Sequence, residues 1–290
     1  MKFNKLMFAS VLAAGCVAFT ACSDDDDDNI IGGNDSGTPG VVNPSQVFTA
    51  GLPTQVGDLS ITKGADGRVT KIVEDAGTSW ETTYTFDYIS SRAESTVKYD
   101  VKMTITEKGE NSQQVFYITL NELGFAKYAY ESYEGDSDEW WFGYNDNGQL
   151  NYMKRTENDN RVTTMTYDAN GDITKVNETD DEGGNDSYTF NYTSSTVTTA
   201  IANKGAIMLF DDVFEIDMDE FAPAYYAGLL GKATTHLPVE LVDTWIDGSG
   251  ASQTSTSTYK WTLNADNNLP ASLVISYDGN TESPIFFNWY

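Results

Sequence analysis

Hydrophobic and polar residues alternate with a period of two over most of the chain. In residues 97–106 the odd positions are Val, Tyr, Val, Met and Ile, while Lys, Asp and Thr fill the even positions. This period puts neighbouring side chains on opposite faces, which is typical of antiparallel strands with one face in water. The same pattern returns in residues 84–88, 116–120, 188–192, 259–263 and 273–277.

A nine-residue unit recurs within this alternation. Residues 142–150 and 165–173 are the clearest copies, and 61–69 and 261–269 are looser ones. Each copy begins and ends with an apolar residue and has Asn or Gly at its seventh position. Because both tolerate positive φ, each unit is predicted to close a tight hairpin. The unit resembles the tyrosine–aspartate hairpin repeats of bacterial surface proteins, in which the motif builds sheet and performs no chemistry.

One stretch interrupts the alternation, at residues 219–231. It has an acidic start at Asp219 and Glu220, an early Pro223 and a closing Gly231, which are helix signals. We therefore predict an all-β fold. Its antiparallel meander of hairpins forms a barrel-like or strongly curled sheet with one short helical insertion near 219–231. A single domain over residues 45–290 accommodates this sheet.

The first 21 residues have the layout of a secretory signal peptide. Lys2 and Lys5 precede an uncharged apolar run over residues 6–18, which is too short for a stable membrane span. Cys16 and Cys22, the only cysteines of the chain, each follow small residues as in a lipobox. We favour Cys22 as the lipidation site because it leaves a full-length apolar segment before it. Cys16 remains the alternative.

Residues 22–44 are predicted to be an acidic, flexible tether. Five aspartates follow Ser23 at positions 24–28, and residues 30–44 are rich in Gly, Asn, Ser and Pro. Cys22 and this aspartate run resemble the export signal of Bacteroides-type surface lipoproteins. The resemblance implies a lipid anchor in the outer membrane and a domain that faces the cell exterior. Acyl chains contribute about 0.8 kcal/mol per buried methylene, so such an anchor holds without a spanning helix.

A second resemblance covers residues 52–290. The leader, the hairpin units and the string Ala-Gly-Leu-Leu-Gly-Lys at 227–232 resemble a Bacteroides-type surface lipoprotein family of unknown function with a porin-like fold. The family implies an antiparallel, barrel-like sheet and supplies no catalytic residues.

Charge and composition exclude several functions. The formal net charge of −27 repels phosphates, so we exclude nucleic acid as a partner. His236 is the only histidine, no cysteine follows the leader, and no phosphate-binding loop is present. We therefore expect no catalytic residue, no cofactor, no metal site and no enzymatic activity. The acidic loops 134–139 and 180–186 lack regular calcium-ligand spacing, which favours solvated hairpin tips.

Aromatic residues are the remaining candidates for ligand contact. Trp140 and Trp141 are adjacent, so on a strand one faces the core and the other faces out. Trp141 with Tyr128 or Tyr130 could form a stacking platform for a sugar. The alternative is that a neighbouring strand edge covers the second indole.

Two arrangements of the barrel remain open from the sequence. The apolar face could point toward lipid, which the aromatic end at residues 286–290 would suit, or inward around a core, which we favour. The leading hypothesis for function is an outer-membrane-anchored, surface-exposed and non-catalytic binding or scaffold module. Its partners would be the membrane through Cys22, and a glycan, a peptide or an outer-membrane protein. The alternatives are a purely structural envelope protein and, third, a glycan hydrolase using the carboxylates at 211–212 and 215–220.

Overall fold

The computed structural model describes residues 40–89, 99–133, 136–156, 160–181, 183–246 and 250–290. The predicted signal peptide, Cys16, Cys22 and the tether up to residue 39 lie outside this range. A 3₁₀ helix at Pro44–Gln46 precedes the sheet. The strands are β1 (Pro53–Val56), β2 (Leu59–Lys63), β3 (Val69–Glu74), β4 (Thr82–Tyr88), β5 (Val101–Glu107), β6 (Gln114–Leu120), β7 (Ala126–Tyr133), β8 (Asp136–Tyr144), β9 (Leu150–Arg155), β10 (Arg161–Tyr167), β11 (Ile173–Thr179), β12 (Asn185–Asn191), β13 (Ile201–Ala202), β14 (His236–Leu237), β15 (Glu240–Ile246), β16 (Ser252–Leu263), β17 (Pro270–Tyr277), β18 (Asn280–Thr281) and β19 (Ile285–Trp289).

These strands form a closed antiparallel barrel of 16 strands. β1 to β12 pair each with the next strand, β12 pairs with β15, and β15, β16 and β17 continue the meander. β19 pairs with both β17 and β1, which closes the ring. β13 and β14 form a separate two-stranded sheet, and β18 pairs only with β17. The predicted all-β meander is confirmed, and the sheet closes rather than only curling.

The connections alternate between the two ends of the barrel. The tight turns after β2, β6, β8, β10 and β16 lie at one end, which we call the hairpin end. The chain enters β1 and leaves β19 at this same end, where Gly40 N–H donates to Asn121 O at 2.9 Å. The turns after β1, β3, β5, β9, β11 and β17 lie at the opposite end, which we call the acidic end.

The apolar face of the sheet points into the barrel. Val101, Met103 and Ile105 of β5 are buried, while Lys102 and Thr106 lie on the outer face. On β16, Thr254, Thr256, Thr258 and Lys260 are exposed on the outside. The inward arrangement that the sequence favoured is therefore the one found, and this part of the wall presents small polar and charged side chains to its surroundings.

The barrel interior is filled by residues 203–231, which we call the plug. Its core side chains are almost completely buried, among them Phe214, Met218, Phe221, Tyr225 and Leu229. Phe221 packs against the wall residues Phe116, Trp140 and Phe142, with ring centroids 5.1, 5.6 and 5.1 Å away. Burial of so much aromatic and aliphatic surface is the main stabilising term for a domain without disulfides.

The insertion near 219–231 is helical, as predicted, but it is a 3₁₀ helix at Asp219–Tyr225. Pro223 inside it has no N–H to donate and interrupts the α-helical pattern, which keeps the helical segment short. A five-residue α-helix, α1 (Phe210–Phe214), precedes it and was not foreseen. The insertion fills the barrel and does not cap it, because its apolar residues contact the inner wall on several sides. No helix in the described part of the chain is long and apolar enough to cross a membrane.

The hairpin units close as expected at residues 61–69, 142–150 and 165–173. In each, Gly at the seventh position has positive φ, as at Gly148 with φ 78°. The side chain at the fourth position stabilises two of the turns. Asn145 Oδ1 accepts from the N–H groups of Asn147 and Gln149, both at 3.0 Å, and Asp168 Oδ1 accepts from those of Asn170 and Asp172. In the fourth copy, at residues 261–269, the turn between the two strands is one residue longer, because Leu263 pairs with Pro270. The positive φ therefore falls on Asn268, the eighth residue of the copy.

A fifth copy, at residues 118–126, was missed. Asn121 Oδ1 accepts from Leu123 and Phe125 N–H, and Gly124 has φ 83°. Its Asn and Gly stand at the fourth and seventh positions of the unit, so the signal was present in the sequence.

Residues 40–48 pack against the hairpin end. Val42, Pro44 and Phe48 are buried, and the ring of Phe48 lies 5.5 Å from that of Tyr225. The last residues assigned to the tether, 40–44, thus make contacts with the barrel.

Candidate functional site

An aromatic strip crosses the outer wall on three neighbouring strands. It consists of Tyr117 on β6, Tyr128 and Tyr130 on β7, and Trp141 on β8. Tyr117 stands opposite Tyr130 and Tyr128 opposite Trp141 in the strand register, with ring centroids 6.4 and 5.7 Å apart. The side chains face out because the residues alternating with them, such as Ile118, Ala129 and Trp140, are buried in the core.

The structure brings together the three aromatic residues singled out from the sequence. Trp140 is 1% exposed and stacks on Phe221, whereas Trp141 is only partly buried on the outside. Tyr117 was missed, although its position between the core residues Phe116 and Ile118 indicates an outward side chain. Tyr99, 4.8 Å from Tyr117, extends the strip toward β5.

Polar groups border the aromatic strip. Tyr128 Oη donates to Glu139 Oε1 at 2.7 Å, and Lys154 Nζ lies 5.5 Å from the centroid of the Trp141 ring. Partial removal of water and the hydrogen bond to Glu139 raise the pKa of Tyr128 to about 12, so the phenol stays protonated and acts as a donor. The strip can therefore offer flat apolar faces flanked by hydrogen-bonding groups.

The acidic end has a different character, with carboxylates projecting into the barrel mouth. Strand alternation turns one acid of seven wall strands inward, and the plug adds its own acids. The wall contributes Glu74, Glu107, Glu131, Asp138, Glu178, Asp186 and Asp243, and the plug contributes Asp211, Asp212, Glu215, Asp217, Asp219 and Glu220. Arg155 and Arg161 are cations that contact these carboxylates.

A cleft of about 370 Å³ opens at the acidic end between the plug and the β1–β2 turn. Asp58, Asp211, Asp212 and Glu282 line it together with Tyr226. The surrounding protein displaces water from the Asp211 carboxyl and, with the charge of Asp217, raises its pKa to about 7. Loss of water contact, together with the charge of Asp243, raises the pKa of Glu215 to about 7. Such a cleft can share protons and attract cations.

Two arginines of the wall compensate part of this charge and hold the plug. Arg155 on β9 donates to Asp217 and Asp219, each at 2.7 Å, and Arg161 on β10 donates to the same Asp217 oxygen at 2.7 Å. Arg161 also lies 3.4 Å from Glu178. The pairs of these arginines with Asp217 and Asp219 could not be predicted from local patterns, because the partners are about 60 residues apart and meet only once the barrel closes.

His236 is held in place by Asp172. Its Nδ1 lies 2.7 Å from Asp172 Oδ2, and Asp172 Oδ1 accepts the His236 backbone N–H. The pair joins β14 to the hairpin that precedes β11. Within the described ranges, no group of three or more His, Cys, Asp or Glu side chains has an arrangement suited to a metal ion.

Comparison with known proteins places this geometry in a family. Residues 61–270 match the model of the domain of unknown function (DUF4595) with porin-like fold. A porin-like protein from Bacteroides uniformis is 19% identical, with a TM-score of 0.58 over 80% of this chain and 89% of its own. Another, from Bacteroides vulgatus, is 14% identical with a TM-score of 0.43, over 82% of this chain and 99% of its own. No curated protein matches the sequence. Because residues 61–270 make up more than half of this chain, the chain belongs to the family of domains of unknown function with a porin-like fold.

Proposed function

We propose that the chain is a non-catalytic binding or scaffold module of the bacterial envelope, anchored in the outer membrane through Cys22 and facing the cell exterior. The observation that carries this proposal is the plug. In the described part of the chain, the interior is filled by Phe214, Phe221, Tyr225 and their neighbours, so we expect function on the outer wall and at the two ends.

The character of the outer wall supports a lipid anchor over a spanning barrel. Membrane barrels face lipid with an apolar band and keep their polar residues inside. Here the core residues point inward, and Thr, Ser and Lys occupy outward positions such as those of β16. The chain enters the barrel at the hairpin end, so we expect that end to lie nearer the membrane.

The anchor is tested by metabolic labelling of cells with a palmitate analogue. We expect the wild-type chain and Cys16→Ser to take up the label and Cys22→Ser to lose it. Protease added to intact cells should then remove the labelled protein's domain if it faces outward. Label retained by Cys22→Ser and lost by Cys16→Ser would move the anchor to Cys16. Absence of label from all three would refute the anchored module.

One observation favours a second candidate, a glycan hydrolase. Asp211 combines a pKa near 7 with other carboxylates in one cleft, which is the combination that a general acid needs. Burial of the Asp211 carboxyl and the charges of its acidic neighbours account for the same shift without catalysis, and for that reason we rank the hydrolase second. Release of reducing sugar from oligosaccharides by the wild-type chain, abolished in Asp211→Asn, would establish the hydrolase in place of the binding module.

A further inference from the structure

We propose that the aromatic strip on the outer wall, formed by Tyr117, Tyr128, Tyr130 and Trp141, is a binding surface for neutral oligosaccharides. The inference rests on the proposed function, since it names the ligand class of the binding module.

The first argument is the exposure of large rings where the fold does not need them. Tyr130 is 38% exposed, and Tyr117, Tyr128 and Trp141 are partly exposed beside it. The barrel core is complete without these side chains, because Phe116, Ile118 and Trp140 fill the inward positions of the same strands. Contiguous apolar surface that does not serve the core indicates an interaction site.

The second argument is the pairing of rings across strands. Register fixes Tyr117 beside Tyr130 and Tyr128 beside Trp141, so the strip is preorganised by the sheet. Rigid rings on strands lose little conformational entropy when they bind. The Tyr117 and Tyr130 rings are stacked, with centroids 6.4 Å apart and planes inclined by 29°. Tyr130 is 38% exposed, so its ring can also contact the apolar face of a pyranose ring.

The third argument is the chemistry between the rings. Glu139 stands opposite Tyr130 and accepts the Tyr128 hydroxyl, while the Lys154 ammonium lies over the Trp141 ring, 5.5 Å from its centroid. Burial of these two charges in hydrocarbon would be costly, which disfavours a lipid. A sugar satisfies them with its hydroxyl groups while its C–H faces cover the rings. The net charge of −27 disfavours an anionic glycan, so the class is neutral.

The test is calorimetric titration of the full chain with cellohexaose and maltohexaose, and with hyaluronan hexasaccharide as the anionic comparison. We expect at least one neutral hexasaccharide to bind with a Kd at or below about 1 mM, and hyaluronan not to bind. Trp141→Ala should weaken binding at least about tenfold, because the largest ring of the strip is removed. Tyr128→Phe keeps the ring and should cost only a few-fold.

The matched control is Trp245→Ala, which removes a tryptophan that is 42% exposed on β15, outside the strip. It should leave the affinity within about twofold of wild type. If Trp141→Ala fails to fold, Tyr130→Ala at the exposed end of the strip replaces it, with the same expected direction.

Three results would overturn the inference. These are no binding of either neutral hexasaccharide at 10 mM, binding that Trp141→Ala and Tyr130→Ala leave unchanged, or Trp141-dependent binding of neutral phosphatidylcholine vesicles instead. The outcome is separable from the anchor, because loss of acyl label from Cys22 refutes the lipoprotein and does not affect the titration.

Discussion

At the residue scale, Gly231 in the Ala-Gly-Leu-Leu-Gly-Lys string marks the place where the plug comes closest to a hairpin of the wall. Gly231 has φ 82°, and a Cβ there would lie 2.6 Å from Gly148 O and 2.8 Å from the Tyr144 ring. The plug crosses the β8–β9 hairpin at this point, where Gln149 and Gly231 form a bridge and Lys232 N–H donates to Gly148 O at 2.8 Å. The backbones touch, so no side chain fits between them.

We expect Gly231→Ala to destabilise the domain by about 2–4 kcal/mol, because strain at positive φ and a backbone clash add together. Gly67→Ala is the matched control, since Gly67 has φ 84° but nothing within 4 Å of the added Cβ. It should cost only about 1 kcal/mol. Urea unfolding of both variants provides the comparison, and equal losses would refute the role of close approach.

At the element scale, the plug is a long segment between two wall strands, and specific contacts attach it to the inner wall. Tyr259 Oη donates to Val213 O at 2.9 Å, and Ala126 N–H donates to Leu229 O at 2.8 Å. The Arg155 side chain, only 5% exposed, ties the segment between α1 and the 3₁₀ helix to β9. These contacts explain why a segment with little regular secondary structure has one defined path.

Arg155→Met should destabilise the domain by roughly 1–3 kcal/mol. Loss of one partner of a buried pair leaves uncompensated charge, but Asp217 and Asp219 remain 30% and 39% exposed, which reduces the cost. Arg68→Met, which breaks the exposed pair with Asp66, should change stability by less than about 1 kcal/mol. The measurement is the free energy of unfolding of both variants from urea titrations. A loss of stability for Arg155→Met as small as that for Arg68→Met would contradict the role of Arg155 in holding the plug.

At the scale of the whole molecule, charge is distributed unevenly along the barrel axis. The hairpin end carries Lys63, Arg68, Lys204 and Lys232, whereas the acidic end holds the inward carboxylates of wall and plug. Loss of water contact, aided by neighbouring carboxylates, raises the pKa of Asp211 and of Glu215 to about 7. Loss of water contact also raises the pKa of Glu131, Glu178 and Glu220. The folded state therefore binds more protons than the unfolded chain between about pH 4 and pH 7.

We expect stability to fall as pH rises through this window, so the melting temperature should be higher at pH 5 than at pH 8. A carboxyl group whose pKa is raised on folding favours the folded state only while it is protonated. Asp211 and Glu215 also face open solvent, so the slope should be shallower than full burial would give. The double variant Asp211→Asn, Glu215→Gln should flatten the profile. A wild-type melting temperature that rises toward pH 8 would contradict this account.

The class of fold and the local structure of the wall can be predicted from the sequence alone. Alternation with a period of two is a property of neighbouring residues, so the inward and outward faces of β5 and the separation of Trp140 from Trp141 followed from the sequence. Positive φ at Gly148 is equally local, since a tight turn requires it. The same rules would have found the hairpin at residues 118–126 and the outward Tyr117.

Features that join distant parts of the chain are visible only in the tertiary structure. Closure between β1 and β19, the path of the plug, and the contact of Gly231 with Gly148 bring together residues that no local pattern relates. The 3₁₀ form of Asp219–Tyr225 belongs here too, because packing inside the barrel outweighed the helix signals of the segment. The aromatic strip lies between these cases: alternation turns each ring outward, but strand register alone sets Tyr128 against Trp141.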